Sequence, residues 1–303
     1  MQRLGARVRA GREIVVPASI SNLGPGFDTL GIAVALYLRV RVRDVIADGR
    51  GCLECRFVDG PLRGSNRIET AFNALPSNRR RRSPSLVVEV RSDIPLRSGL
   101  GSSAAATIAG LRLRELIDGR RSTEEILSAA TAIEGHPDNA APALLGGVTS
   151  CCAREDGTIS VTRWPWPKRW RIVVATPEAE LPTSIARRAI PRRLPLQDVV
   201  FNTQHLAQLL GALHSGSAAE LREGLRDRVH QPYREQLVPG LRRVLAVRHP
   251  DVIGFCLSGA GPSIAAFTTG KTAAAERVLR DAYRRERMAC TVRTVRVHRE
   301  RDA

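Results

Sequence analysis

Between Pro95 and Ala105 the chain reads PLRSGLGSSAA, a glycine-rich turn between an apolar run, SLVVEV at 85–90, and a stretch of good helix formers. Gly99 and Gly101 let the backbone turn where a Cβ would obstruct it. Ser102 and Ser103 stand where the helix begins, and Ala104–Ala106, Ile108, Leu111 and Leu116 then share one broad face of it. Strand, tight turn and helix start in succession bring unpaired amide N–H groups and the positive end of a helix dipole to one point. Such a point receives phosphate, with serine hydroxyls within reach of a phosphate oxygen or the water shell of Mg2+. The Walker lysine is missing, and so is the third glycine of the dinucleotide fingerprint, so neither of those loops is present.

Two more glycine turns accompany it. SISNLGPGFDTLG (19–31) lies between the strand-like runs EIVVPA (13–18) and AVALYLRVRVRDVI (33–46), the second of which alternates apolar residues with arginine. SGAGPS (258–263) joins two apolar strands near the other end of the chain. Three backbone loops able to approach a ligand suggest a phosphorylated nucleotide held against a second substrate. Polar residues cluster beside them: Asn22 and Asp28 flank the first turn, and Glu134, His136, Asp138 and Asn139 crowd a turn at a helix end. Carboxylates beside a phosphate loop suit Mg2+, which takes oxygen ligands and shares phosphate oxygens. A single histidine such as His136 reads as a structural hydrogen-bonding group.

The periodicities predict helices at 123–134, capped by Ser122 or Thr123, and at 198–214, 217–228 and 271–287. WPWPK (164–168) reads as a domain junction, dividing the chain into 1–166 and 167–303. The second part reads β-α-α-β-β-α-β, so the class is α+β.

Composition serves mainly to exclude. The formal net charge is +17, but arginines are scattered from Arg3 to Arg301, the one tight run being Arg79–Arg82 in a loop-like stretch. Aromatic residues make up 4%, leaving little on which unpaired bases could stack. A small anionic ligand suits the charge, and nucleic acid is not expected as a partner. No apolar run approaches the roughly 18 residues of a membrane span. The basic first dozen residues lead into no secretory core, so a cytoplasmic address is expected. The six cysteines fit a reduced compartment. Cys52 and Cys55 form one CxxC with no second half for a zinc site, and the neighbours Cys151 and Cys152 would point to opposite faces of a strand.

Taken together, VPASISNLGPGFDTLG (16–31), IPLRSGLGSSAAATIAG (94–110), EGHPDNAAPALLGG (134–147) and LSGAGPSIAAF (257–267) resemble the GHMP kinase superfamily, and within it the homoserine kinase branch. The resemblance implies two α+β domains, an N-terminal one with the first three motifs and a ferredoxin-like C-terminal one with the last. It implies Mg-ATP-dependent phosphorylation of L-homoserine, and a homodimer. By motif position it assigns ATP to Pro95, Leu96, Arg97, Ser98, Gly99, Leu100, Gly101, Ser102, Ser103, Ala104 and Ala105, with Gly259, Gly261 and, for adenine, Asn66. Metal ligation falls to Ser102, Ser103 and Glu134. Homoserine falls to Asn22, Asp28, His136, Asn139, Thr183, Arg187 and Arg234, with Asp28 on the ammonium and the two arginines on the carboxylate, a geometry suited to guanidinium. Catalysis rests on Asn22, Asn139 and Ser103 with no dedicated base. A lysine found in other branches has no counterpart, since Ala18 and Ser19 occupy that stretch. Two other readings stay open at this point: a GHMP kinase for a different hydroxyl compound, and a nucleotide-binding regulatory module.

Overall fold

The computed structural model describes residues 8–60, 64–75 and 83–299; the Arg79–Arg82 run lies outside them. The arginine-alternating segment becomes β2 (Leu30–Ile46), a 17-residue strand with Leu38, Val40 and Val42 buried against the first core. A strand that long serves several neighbours at once. Its middle pairs with β1 (Glu13–Ser21) and its end with β4 (Ser85–Ser92), while Leu30–Ile32 pairs with β5 (Val148–Ala153), all antiparallel. β3 (Leu53–Phe57) joins β4 in parallel and β6 (Ile159–Trp164) closes the other edge. Pairing with β5 on one side and with Ile20 and Ser21 of β1 on the other explains why the strand starts three residues before the predicted position.

Helices α1 (Arg67–Ala74), α2 (Ser102–Asp118), α3 (Thr123–Glu134) and α4 (Ala140–Leu145) belong to this first half. Ile108, Leu111 and Ile117 of α2 enter the core with Ile126 and Leu127 of α3. α3 begins with a full capping box, Ser122 Oγ accepting from Glu125 N and the Glu125 carboxylate from Ser122 N. Ser122→Ala is expected to cost about 1 kcal/mol of folding stability, measurable by urea titration.

The second half contains β7 (Arg171–Pro177), β8 (Val252–Leu257), β9 (Ile264–Thr268) and β10 (Cys290–Val295), in spatial order β10-β7-β9-β8 and antiparallel throughout. With α6 (Leu196–Ser215) after the first strand and α10 (Ala273–Arg285) after the third, this is the ferredoxin-like arrangement. Short helices α5 (Thr183–Arg188), α7 (Ala218–Gly224), α8 (Gln231–Arg234) and α9 (Leu241–Ala246) fill the long connection. The helix predicted over 217–228 stops earlier, because Asp227 turns the chain: its carboxylate accepts from the N–H groups of Val229, His230 and Gln231.

β7 is buried on both faces. Ile172 and Val174 join the first core, whereas Val173 and Ala175 pack with Leu241, Leu279 and Tyr283 in a second one. After β10 the chain crosses back, and Arg296 and His298 bond to Ala33, Ala35 and Gly147 of the first half. The two halves therefore share core and backbone bonds, and the cleft between them has firm walls.

Candidate active site

All four motifs reach one cleft. Its lining includes Asn22 and Asp28 from the first turn, Gly99 to Ala104 from the second excepting Leu100, Glu134, His136, Asp138 and Asn139 from the third, and Gly259 and Gly261 from the fourth. Arg97, Thr183, Arg187 and Arg234 complete it.

Backbone conformation builds these turns. Asn22, Leu23, Asp28 and Arg97 all have positive φ, at 71°, 46°, 54° and 49°. Short polar side chains tolerate that region, while Leu23 and Arg97 carry strain of the kind that concentrates at functional sites. At Gly99 (φ +82°) a Cβ would lie 2.3 Å from the Ser258 carbonyl oxygen, and at Gly101 (φ +70°) 2.2 Å from Ser19 Oγ. The second turn is therefore wedged between the fourth turn and β1. Hydrogen bonds fasten it: Ser258 Oγ donates to Gly99 O, Ser263 N to Ser98 O, and Ser19 N to Leu100 O. The fourth turn thus braces the phosphate-type loop from behind, a task its sequence does not reveal.

α2 starts without a side-chain cap, and the N–H groups of Ser102, Ser103 and Ala104 have no partner among the described residues. They open on the cleft. Glu134 sits beside them, and one oxygen, Oε1, accepts from Ser103 Oγ at 3.0 Å and Thr107 Oγ1 at 2.6 Å. Thr107 was not among the predicted residues, although its position one turn after Ser103 is a readable signal. Among the described residues neither Oε2 nor the Ser102 hydroxyl has a hydrogen-bond partner.

Asn22 and Asn139 are held at both ends of their amides. Asn22 Nδ2 donates to Gly259 O and its Oδ1 accepts from Asp28 N. Asn139 Oδ1 accepts from Ser19 Oγ and its Nδ2 donates to Ser21 Oγ. Each amide keeps one N–H and one lone pair for a further partner. Ser19 and Ser21, one residue apart on either side of Ile20, were not predicted.

Charges gather at the opposite wall. Arg187 makes two hydrogen bonds to Asp28, 2.9 and 2.6 Å. Burial works against the Arg187 charge, but the bonds and charge of Asp28 prevail and raise its pKa. Arg234 is 1% exposed and forms no ion pair with a carboxylate among the described residues. Its Nε donates to Ala186 O and its Nη1 to Gly259 O, and Nη2 is left for the cleft. Burial and then the like charge of Arg187 bring its pKa down to about 10. Both guanidiniums lie near the Phe27 ring, 5.5 and 5.4 Å from its centroid.

Asp28, His136 and Asp138 place ligand-type atoms within 4.8 Å of one another. His136 Nδ1 bonds to Asp138 Oδ1. Burial lowers the His136 pKa, and the bond and charge of Asp138 more than reverse it, so the net shift is upward. A raised folded value contributes stability that is complete below the ordinary imidazole pKa of about 6.5 and is lost as pH rises through the folded value. The melting temperature of the wild type relative to His136→Gln is therefore expected to fall from about pH 6.5 upward, and a pH-independent difference would contradict this.

Not every predicted residue faces the cleft. Leu100 and Ala105 are core residues, Ser98 is buried with its hydroxyl on Pro95 O, and Pro95 faces another surface. Leu96 and Asn66 line an adjoining, more apolar cavity of about 580 Å³ that shares Arg97, Ser102, Ser103 and Thr183 with the cleft. Asn66 caps α1, its Oδ1 accepting from Ile68 and Glu69 N–H. Burial pushes the Cys151 and Cys256 thiols up to about 12, too high for a nucleophile at neutral pH.

Family models of the GHMP kinases N terminal domain and the GHMP kinases C terminal match residues 66–147 and 209–285. A homoserine kinase of Solibacter usitatus is 41% identical over 258 residues, covering 83% of each chain. The chain belongs to the homoserine kinase family of GHMP kinases. Another homoserine kinase, from Moorella thermoacetica, is 35% identical over 92% of this chain and 94% of its own. Among solved structures, homoserine kinase of Cytophaga hutchinsonii superposes with a TM-score of 0.80 at 24% identity and 98% coverage of both chains, which shows the shared fold. L. major mevalonate kinase shares that fold at a TM-score of 0.68 and 14% identity over 98% of this chain and 99% of its own. Within the homoserine kinase fold, the four motif turns are the parts that meet at the cleft.

Proposed function

We propose that the protein transfers the γ-phosphoryl group of ATP to the side-chain hydroxyl of L-homoserine, giving O-phospho-L-homoserine for threonine biosynthesis. The carrying observation is the charge layout of one cleft: bare amides at the α2 start on one side, and Arg187, Arg234 and Asp28 on the other. A zwitterion fits that second wall. Its ammonium would meet Asp28 and Asp138, and its carboxylate Arg234 and Arg187, exchanging the Asp28–Arg187 pair for two pairs. The neighbouring apolar cavity suits the nucleoside, with Asn66 and Leu96 in its wall.

The donor set fits Mg2+: a carboxylate oxygen, Glu134 Oε2, and the Ser102 hydroxyl are hard ligands beside a phosphate loop, while the Ser103 hydroxyl is turned onto Glu134. Bound there, Mg2+ would neutralise charge on the phosphates. The amides of 102–104 bind the phosphate oxygens, and Asn22 and Asn139 orient the hydroxyl with their remaining valences. The hydroxyl proton passes to a γ-phosphate oxygen, since a loose transition state needs position and charge neutralisation more than early deprotonation. On this reading Asp138→Asn keeps kcat at saturating substrates within about tenfold of wild type. A loss of three orders of magnitude with both substrates still bound would overturn direct transfer.

We take the chain to divide into 1–166 and 167–303, a reading that the gap between β6 and β7 supports, and the enzyme to be a cytoplasmic homodimer, its dimeric state being tested by light scattering. ADP release measured across small hydroxyl compounds tests the function itself. Homoserine is expected to lead, and higher kcat/KM with mevalonate or a sugar alcohol would refute it.

A further inference from the structure

Arg234 reaches into the cleft, but the group that aims it lies behind. His230 is four residues earlier, fully buried, and its two ring nitrogens do different work. Nε2 is 2.7 Å from the Gly24 carbonyl oxygen, which accepts its hydrogen and so places the ring proton there. Nδ1 is then a bare acceptor, 3.3 Å from Arg234 Nη1. Burial lowers the imidazole pKa, in keeping with a neutral ring. The ring also stacks on Phe27, centroids 5.4 Å apart.

The charged groups facing the ring are Asp227, Asp28 and Arg234. Asp227 has its side chain fully buried and 3.4 Å from Nε2. Its carboxylate accepts from three successive N–H groups and from Asn202 Nδ2, pinning the backbone that carries His230. Together with Ala186 O and Gly259 O, His230 Nδ1 fixes the Nε and Nη1 side of the guanidinium and leaves Nη2 to the cleft.

We propose that His230 is a positioning residue for the amino-acid carboxylate: its Nδ1 aims Arg234, while its Nε2–H ties the first motif turn at Gly24 to the same helix. The proposal rests on the reading of Arg234 as the carboxylate-binding arginine. It makes the two sides of the ring separable. An asparagine amide oxygen can take the place of Nδ1 but does not reach Gly24, whereas a glutamine amide can reach Gly24 but offers Arg234 no acceptor at that place.

The test compares His230→Gln with His230→Asn. His230→Gln is expected to raise the homoserine KM about tenfold or more, with the ATP KM unchanged and kcat within about threefold. His230→Asn should keep the homoserine KM within about threefold of wild type, the lost bond to Gly24 showing as a lower melting temperature. The preference for homoserine over its carboxamide should collapse in His230→Gln and survive in His230→Asn. Unchanged homoserine KM and carboxylate preference in both folded variants would overturn the proposal, as would a parallel rise of both KM values with an equal loss of melting temperature. Should neither variant fold, the 15N shift of His230 Nδ1 in the wild type decides: it moves on saturation with homoserine but not with an ATP analogue alone, and no movement overturns the proposal. If the wild type instead prefers another hydroxy acid, the substrate reading fails, and the carboxylate and carboxamide forms of that acid still read out His230.

Discussion

Replacing Arg234 by methionine is expected to lower kcat/KM for homoserine by about 30- to 5,000-fold, leaving the KM for ATP near its wild-type value. The range corresponds to about 2–5 kcal/mol for removing one partner of a buried, hydrogen-bonded charge pair. The loss should be large because Arg234 is desolvated before any ligand arrives and has no carboxylate partner among the described residues. Its charge is thus unspent in the free protein and is met by the substrate. Stability should barely follow. Removing a buried unpaired cation relieves desolvation, and this offsets the lost bonds to Ala186 O, Gly259 O and His230. Steady-state kinetics with both substrates varied, alongside a urea titration, checks both halves. A large fall in stability with an unchanged homoserine KM would mean that the arginine is only a strut.

Glu134→Gln is expected to lower kcat by about two to three orders of magnitude, with a higher Mg2+ concentration needed for half-maximal rate. The amide oxygen can still accept from Ser103 and Thr107, so the substitution keeps the local frame while removing the charge. Melting should therefore stay close to wild type. Activity as a function of Mg2+ concentration distinguishes the roles: a kcat near wild type at every Mg2+ concentration would leave Glu134 as a brace for α2 and nothing more.

How much of this was readable depends on how local the cause is. The start of α2 was legible because two glycines, two serines and an apolar face are contiguous, and their conformational preferences act within a few residues. The same holds for the Ser122 capping box and for the strand-turn-strand at 252–268. The start of β2 at Leu30 was not, since those first residues are held between the end of β1 and β5, the latter more than a hundred residues away. The short stop of α7 depended on the Asp227 carboxylate turning back onto three amides. In the site, flanking patterns singled out Arg187 and Arg234 among scattered arginines, but the pairing of Arg187 with Asp28 and the isolation of Arg234 are facts of packing.

Chain order alone carried the glycine turns, their polar neighbours and the α+β class, because backbone freedom, helix capping and side-chain periodicity are properties of a few adjacent residues. Three-dimensional packing decided which atoms of those residues remain available. It took both ends of the Asn22 and Asn139 amides for the protein, left Glu134 Oε2 and Arg234 Nη2 to the cleft, and put His230 behind the arginine. Hydrogen-bond valence and desolvation are settled by neighbours brought together from distant positions, and no local pattern records them.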